Sequence, residues 1–297
     1  MPDAVSTSWS VRRGGLWLGL GLAALVLLLP VPGGWSPEAW RVLACIALMV
    51  CWWITEAIPV YATGLIPLAL FPLLGVASPQ GAAEPYADPL IFLFLGGFLI
   101  AQAMQAWGLH RRIALRLLAL TGTGPRALIG GFMAACAFLS MWISNTATAV
   151  MMLPIAMSVV ALAEESGLPE ALERRFERAL LLSIAYACSI GGVATLIGTP
   201  PNAILAAYLS REHGIEITFA DWMGIGLPLS LLLLVIAWLL LTRVVFRLPN
   251  RPVEEVSALI RRQRDSLGPM GRGEKLAMAG FCTAAGLWLG RGLLEQW

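Results

Sequence analysis

Ser144-Asn145-Thr146-Ala147-Thr148 is a run of small polar residues set between two apolar flanks, Ala127–Ile143 and Ala149–Ala163. A second stretch answers it further on: Ile190-Gly191-Gly192-Val193-Ala194-Thr195-Leu196-Ile197-Gly198-Thr199-Pro200-Pro201-Asn202. Each interrupts a segment that otherwise reads as membrane-embedded. In hydrocarbon an irregular backbone survives only where protein or a water-filled cavity satisfies its N–H and C=O groups. Two interruptions on consecutive segments therefore point to a binding site rather than to poor helices.

The composition sets the medium. The chain is 58% hydrophobic and 13% charged, against about 25% charged residues in an ordinary soluble domain, and its mean hydropathy is +0.77. Apolar runs of bilayer-crossing length, about 20 residues, recur from end to end, so the fold class is an all-α polytopic membrane protein. A net charge of +2 carries no nucleic-acid signal. Cys45, Cys51, Cys136, Cys188 and Cys282 lie inside apolar segments without metal-like spacing and read as small buried hydrophobes. No HExxH, P-loop or dinucleotide fingerprint is present, which argues against an enzyme.

Around the two breaks the chain reads as a series of spans. Leu16–Leu29 is a retained first helix, lacking a small-x-small cleavage site. Trp40–Ile58 follows, then Val60–Val76 with kinks expected at Pro67 and Pro72, then Asp88–Leu109 running into a basic shoulder at His110, Arg111, Arg112 and Arg116. Ala127–Ala163 is about twice too long for one crossing. A polar interfacial helix is expected over Glu164–Arg178. Ala179–Leu209 is again too long for one span, with a ladder break expected at Pro200-Pro201. Leu227–Phe246, a basic loop Arg247–Lys275 and a last span beginning at Leu276 complete the chain.

Charge orients the spans. With the N-terminus in the cytoplasm, seventeen of the 20 basic residues fall inside and only Arg41, Arg211 and Arg291 outside, as the positive-inside rule asks. This requires Ala127–Ala163 to return to the side it left. Parity alone allows a re-entrant hairpin or two full crossings; arms of about 17 residues, the bottom of the spanning range, favour a hairpin turning at Ser144-Asn145-Thr146. The basic run Arg261-Arg262-Gln263-Arg264 needs no partner beyond lipid headgroups.

A hairpin tip near mid-membrane exposes helix ends. An arm starting after Asn145 presents N–H groups, which attract anions, and an arm ending before Ser144 presents carbonyls, which attract cations. Ser144, Asn145, Thr146 and Thr148 add hydroxyl and amide ligands. The second break offers the same menu, with carbonyls freed at Pro200 plus Thr199 and Asn202. Facing broken helices at mid-depth are how secondary transporters build their sites. No ionisable residue lies in 127–163 or in 179–209, so a proton relay lacks its groups, and a neutral oxygen cage suits sodium. Isolated features take plainer readings. Thr55, Thr63 and Thr283 are back-bonding hydroxyls, Gly96-Gly97 a packing contact, Glu56 an interface residue, and Trp35, Trp40, Trp107 and Trp222 interface anchors.

Residues 144–155 (Ser-Asn-Thr-Ala-Thr-Ala-Val-Met-Met-Leu-Pro-Ile) and 189–202, together with Phe94–Leu99 and Gly108–Ala114, resemble the divalent anion/sodium symporter family, transporters of dicarboxylates, citrate and sulfate. The resemblance implies the first of two inverted repeats, with a re-entrant helical hairpin and a broken helix. It gives Ser144, Asn145 and Thr146, with Thr199 and Pro200 from the second break, to the anion. It gives Ser140, Ser144 and Asn145, with backbone carbonyls at Gly192 and Gly198, to sodium. It further implies residues 1–118 as scaffold helices, 119–250 as half of a transport domain, 251–275 as a cytoplasmic loop and 276–297 as the start of a second repeat. A homodimer in the cell's inner membrane, surrounded by lipid and sodium-coupled, is the expectation. C4-dicarboxylates come first as substrate, with sulfate, citrate or sodium-independent exchange as alternatives. A single Ser-Asn-Thr motif is present where that family has two. A fragment of a longer protein is therefore expected, or else an inactive half or a membrane scaffold.

Overall fold

The structure, a computed structural model, describes residues 3–122, 124–165, 169–249 and 254–294. Arg251, part of the topology count, lies outside them. The described residues form helices and no strand, and six helices are long and apolar enough to cross a membrane. The chain divides into two compact units, 1–91 and 92–297.

The first unit contains α1 (Asp3–Leu28), α2 (Pro37–Thr55), α3 (Val60–Gly64), α4 (Ile66–Leu73) and α5 (Pro79–Ala83). Ser36 starts α2 by accepting the Ala39 N–H at 3.2 Å, with Pro37 following at the first helical position. Glu56 ends it in the left-handed conformation (φ 48°) and meets Arg12 at 3.4 Å, both side chains exposed. The expected span Val60–Val76 is two short helices instead, of 5 and 8 residues. Its interruption falls at Leu65, two residues before Pro67, which has no N–H to give to the Thr63 carbonyl and so cannot continue the ladder across the joint. Tyr86 reaches back to this joint, donating to the Gly64 carbonyl at 2.7 Å.

The second unit carries α6 (Pro89–Ala106), α7 (Leu109–Ala119), α8 (Pro125–Ser140), α9 (Asn145–Glu165), α10 (Glu170–Val193), α11 (Pro200–His213), α12 (Phe219–Leu239), α13 (Glu254–Asp265) and α14 (Arg272–Leu294). The boundary between the units falls near the start of α6. Helices α8, α9 and α12 all pack on α10, and Phe132, Leu128, Ile129, Leu139, Met152 and Leu180 are fully buried there. On α12 the apolar residues Ile225, Leu231, Leu232 and Val235 stay exposed, the pattern of a lipid-facing helix. The polar segment expected as a separate interfacial helix over Glu164–Arg178 is divided. Glu164 and Glu165 end α9, and the rest from Glu170 is the first half of α10, one continuous helix of 24 residues. Good helix formers run without a breaker from its charged end into its apolar end, so nothing stops the ladder.

The basic shoulder forms α7, entered through Gly108 in the left-handed conformation (φ 70°). The stretch Arg247–Lys275, expected as a loop, contains α13 and is pinned. Arg112 of α7 donates to Glu274 at 2.8 and 3.0 Å, to the Gly268 carbonyl at 2.8 Å and to the Leu267 carbonyl at 3.1 Å. The guanidinium is thus almost fully engaged, and the two side chains are only 7% and 12% exposed.

Arg112's bonds, helped by the Gly271 N–H, hold the Glu274 carboxyl below the ordinary carboxylate value. A carboxyl depressed on folding stabilises the protein fully above its unfolded value near 4.5, and that contribution is lost as pH falls through the lower folded value. Arg112→Ala should therefore lower stability by about 3 kcal/mol at neutral pH, read from the thermal midpoint in detergent, with the gap to wild type closing in acid. Removing the exposed Arg12 partner of Glu56 should cost under about 1 kcal/mol.

Candidate ion and anion site

Helix α8 ends at Ser140 and α9 begins at Asn145, so residues 141–144 make the turn. This is slightly earlier than the sequence suggests: Asn145 and Thr146 are already in the first turn of α9. Ser144 precedes it and accepts the Ala147 N–H at 3.2 Å, the local bond that starts a helix. In the second break α10 ends at Val193 and α11 starts at Pro200. The paired prolines, expected from sequence to break a ladder, instead open α11 at positions where a missing N–H costs nothing. The Thr199 carbonyl accepts the Asn202 N–H at 3.1 Å.

Side chains tie one break to the other. Thr195 donates to the Met141 carbonyl at 2.5 Å. Asn202 donates to the Gly192 carbonyl at 2.9 Å and the Thr195 carbonyl at 2.8 Å, bracing the loop 194–199 from α11. Ser140 Oγ lies 2.5 Å from Asn145 Oδ1 and 2.7 Å from the Cys188 carbonyl. From α12, Trp222 donates to the Val193 carbonyl at 3.0 Å and Ser230 to the Ile190 carbonyl at 2.7 Å. Trp222, expected as an interface anchor, is a brace of the break.

Three glycines make room. A Cβ on Gly192 would stand 2.6 Å from Asn145 Oδ1; one on Gly198 would overlap the Gly192 carbonyl, and one on Gly191 would overlap the backbone of Ala137. Ser140, Asn145, Gly192 and Gly198 of the expected cation set are therefore neighbours. Ser144 and Thr146 are exposed, Asn145 and Thr199 half-buried and Pro200 exposed. Among the described residues no hydrogen bond joins Ser144–Thr146 to Thr199 or Pro200. Thr195, Trp222, Ser230 and the Cys188 carbonyl were not singled out from sequence as parts of the site. Thr195 stands at the centre of the second stretch, which was the only available signal.

Chemically this is a shell of neutral oxygens. Ser140 Oγ lies within hydrogen-bond reach of both the Asn145 carboxamide and the Cys188 carbonyl, so oxygens from α8, α9 and α10 converge there. Hard cations take oxygen ligands of this kind. Among the described residues no three His, Cys, Asp or Glu side chains cluster to form a transition-metal site. The residues present thus fit a small monovalent cation. Next to them, the first turn of α9 keeps N–H groups without intrahelical partners, an anion-attracting end.

Fold and site together define a polytopic helical membrane protein in which two interrupted helices meet at an uncharged junction rich in oxygens, the arrangement on which secondary transporters build their binding sites. Comparison with known sequences gives the family. The family described as "Sodium:sulfate symporter transmembrane region" matches residues 14–295, and the chain belongs to it. It is similar to the sodium-dependent dicarboxylate transporter SdcS of Staphylococcus saprophyticus, 42% identical over 288 residues, covering 95% of this chain and 55% of that protein. It is also similar to the SdcS protein of Staphylococcus aureus strain bovine RF122, 42% identical over 287 residues with the same coverage. The chain therefore spans just over half the length of these relatives.

The glycine geometry yields a contrast. Gly191→Ala forces backbone against backbone between α10 and α8 and should sharply reduce the yield of monodisperse protein on size-exclusion chromatography. Gly96→Ala, which faces open space, should elute and melt as wild type.

Proposed function

We propose that this chain forms the first half of a sodium-coupled secondary transporter of divalent anions, C4-dicarboxylates foremost, in the cell's inner membrane with its N-terminus in the cytoplasm. The observation that carries the reading is the convergence of Ser140 Oγ, the Asn145 carboxamide and the Cys188 carbonyl from three helices. A sodium ion beside them is held by neutral oxygens. Gly192 and Gly198 admit the close approach, their carbonyls adding to the shell, with Ser144 at its edge. The names of the relatives support sodium and a dicarboxylate.

The anion sits on the open side, against the first turn of α9, where Ser144, Asn145 and Thr146 supply hydroxyl, amide and backbone donors. Thr199 and Pro200 close the pocket from the second break. α11 is the weaker anion-binding end, because Pro200 and Pro201 carry no N–H; it contributes the Thr199 hydroxyl and shape. Residues 1–118 act as scaffold and 119–250 as half of a moving domain, with the hairpin re-entrant. Residues 251–275 are a cytoplasmic connection and 276–297 open a second repeat. Two protomers pair through their scaffolds. The family's description favours one second reading, sulfate as the anion.

The test uses the intact gene product in proteoliposomes. Labelled succinate should accumulate only with an inward sodium gradient, and unlabelled sulfate should compete weakly. Uptake indifferent to sodium would refute the coupling, and preferential uptake of sulfate would select the second reading. Asn145→Ala should abolish uptake while inserting and melting normally; an active variant would refute the site.

A further inference from the structure

Several helix hydroxyls in this protein bond back to the turn before them. Thr55 donates to the Cys51 carbonyl at 2.7 Å, Thr242 to Trp238 at 2.6 Å, Ser158 to Pro154 at 2.9 Å and Ser183 to Leu180 at 2.7 Å. Among the described residues two fully buried threonine hydroxyls have no hydrogen-bond partner: Thr63 in the first unit, expected from sequence to bond back, and Thr148, beside the first break. Of the two, Thr148 is the one on a helix of the candidate site. The Ser144 carbonyl four residues back, the natural acceptor, takes the Thr148 N–H at 3.0 Å but not the hydroxyl. A buried hydroxyl without a partner is a net cost to folding, and native proteins keep few of them.

Position supplies the reason. Three and four residues apart on a helix is one face, so Thr148 stands one turn above Asn145 and Ser144. Side chains on an α-helix lean toward its N-terminus, which carries the Thr148 hydroxyl toward the space between those two residues. Asn145 in turn touches Ser140 and faces Gly192. We propose that Thr148 Oγ1 is a ligand of the cation in this pocket, left unpaired by the protein because the ion completes it. This deepens the proposed function and rests on it. A neutral hydroxyl in place of a back-bond adds an oxygen without adding charge beside the anion.

Sodium binding to purified protein, without any anion, tests the assignment through two readouts: equilibrium binding of radioactive sodium, and the rise in thermal midpoint on exchanging choline for sodium. Thr148→Val, which keeps the shape and removes the oxygen, should weaken sodium binding about tenfold, the order expected for one lost neutral ligand. In choline the same variant should melt at or above the wild-type temperature, because the unpaired hydroxyl is gone. Thr148→Ser should bind like wild type. Wild-type sodium affinity in Thr148→Val would overturn the proposal, as would equal weakening in the Ser and Val variants, which marks a packing role. Asn145→Ala, measured alongside, separates the two claims. If it abolishes sodium binding while Thr148→Val does not, only the ligand role of Thr148 falls; if wild type itself binds no sodium, the proposed function falls with it.

Discussion

The structure depends on where the hydrogen bonds of two broken helices go. Chain ends and loops inside a helical membrane protein cannot turn to water for their N–H and C=O groups, and each one left bare in hydrocarbon costs several kcal/mol. Here the debt is met across the two breaks. Thr195 of one loop serves the Met141 carbonyl of the other, Ser140 serves Cys188, and Asn202 serves Gly192 and Thr195 together. These ties let α8 stop at Ser140 and α10 stop at Val193 with several of their freed carbonyls paired. They also fix the distances between oxygens at the tip, so the same bonds that permit the irregular backbone shape the pocket.

Close approach is the companion requirement. Hydroxyls and carboxamides have short reach, and they can cross between α8, α9 and α10 only if the backbones nearly touch. Gly191 lies against the backbone of Ala137, Gly192 against the Asn145 amide, and Gly226 of α12 opposite the Val193 carbonyl. Small residues at these crossings are how membrane helices pack when no hydrophobic force pulls them together. Where the same unit packs far from the site it uses large apolar side chains, Phe132 and Leu180 among them. Small-residue contacts at the breaks and a filled core elsewhere divide the bundle into two kinds of packing, and the proposed site lies at the first.

Contrast made the breaks legible in sequence: Ser144–Thr148 and the Gly-Thr-Pro-Pro-Asn stretch stand out because everything around them is apolar. Edges were harder to read. Proline looks the same on paper whether it kinks a helix or opens one, and only the loop 194–199 ahead of Pro200 shows which role it plays. The charged half of α10 looked like a separate helix because polarity changes at Ala179, but backbone geometry follows propensity and not polarity. The ties were beyond reach of pattern reading, since Thr195 and Met141 are 54 residues apart and Ser140 and Cys188 are 48 apart. Arg112 illustrates the same limit. Sequence counts it as one topological charge, while the fold uses it as a four-bonded clamp on Glu274 and two carbonyls.

An uncharged pocket is also the simplest way to make two ligands depend on each other. An aspartate in place of Asn145 would hold a cation more tightly, but its charge would repel a carboxylate brought to the first turn of α9. A lysine or arginine would hold the anion without any ion at all. Asn145 avoids both. Its Oδ1 is turned to Ser140, and its amide nitrogen keeps donors that an anion can use. On the proposed function, these residues offer a dianion only dipoles when sodium is absent, and a full charge in a medium of low dielectric, where that charge acts strongly, when it is bound. By reciprocity the anion then strengthens the hold on sodium by the same factor. On the proposed function, coupling needs no moving part of its own at this site. It follows from a site where, among the residues proposed, the positive charge arrives with the ion.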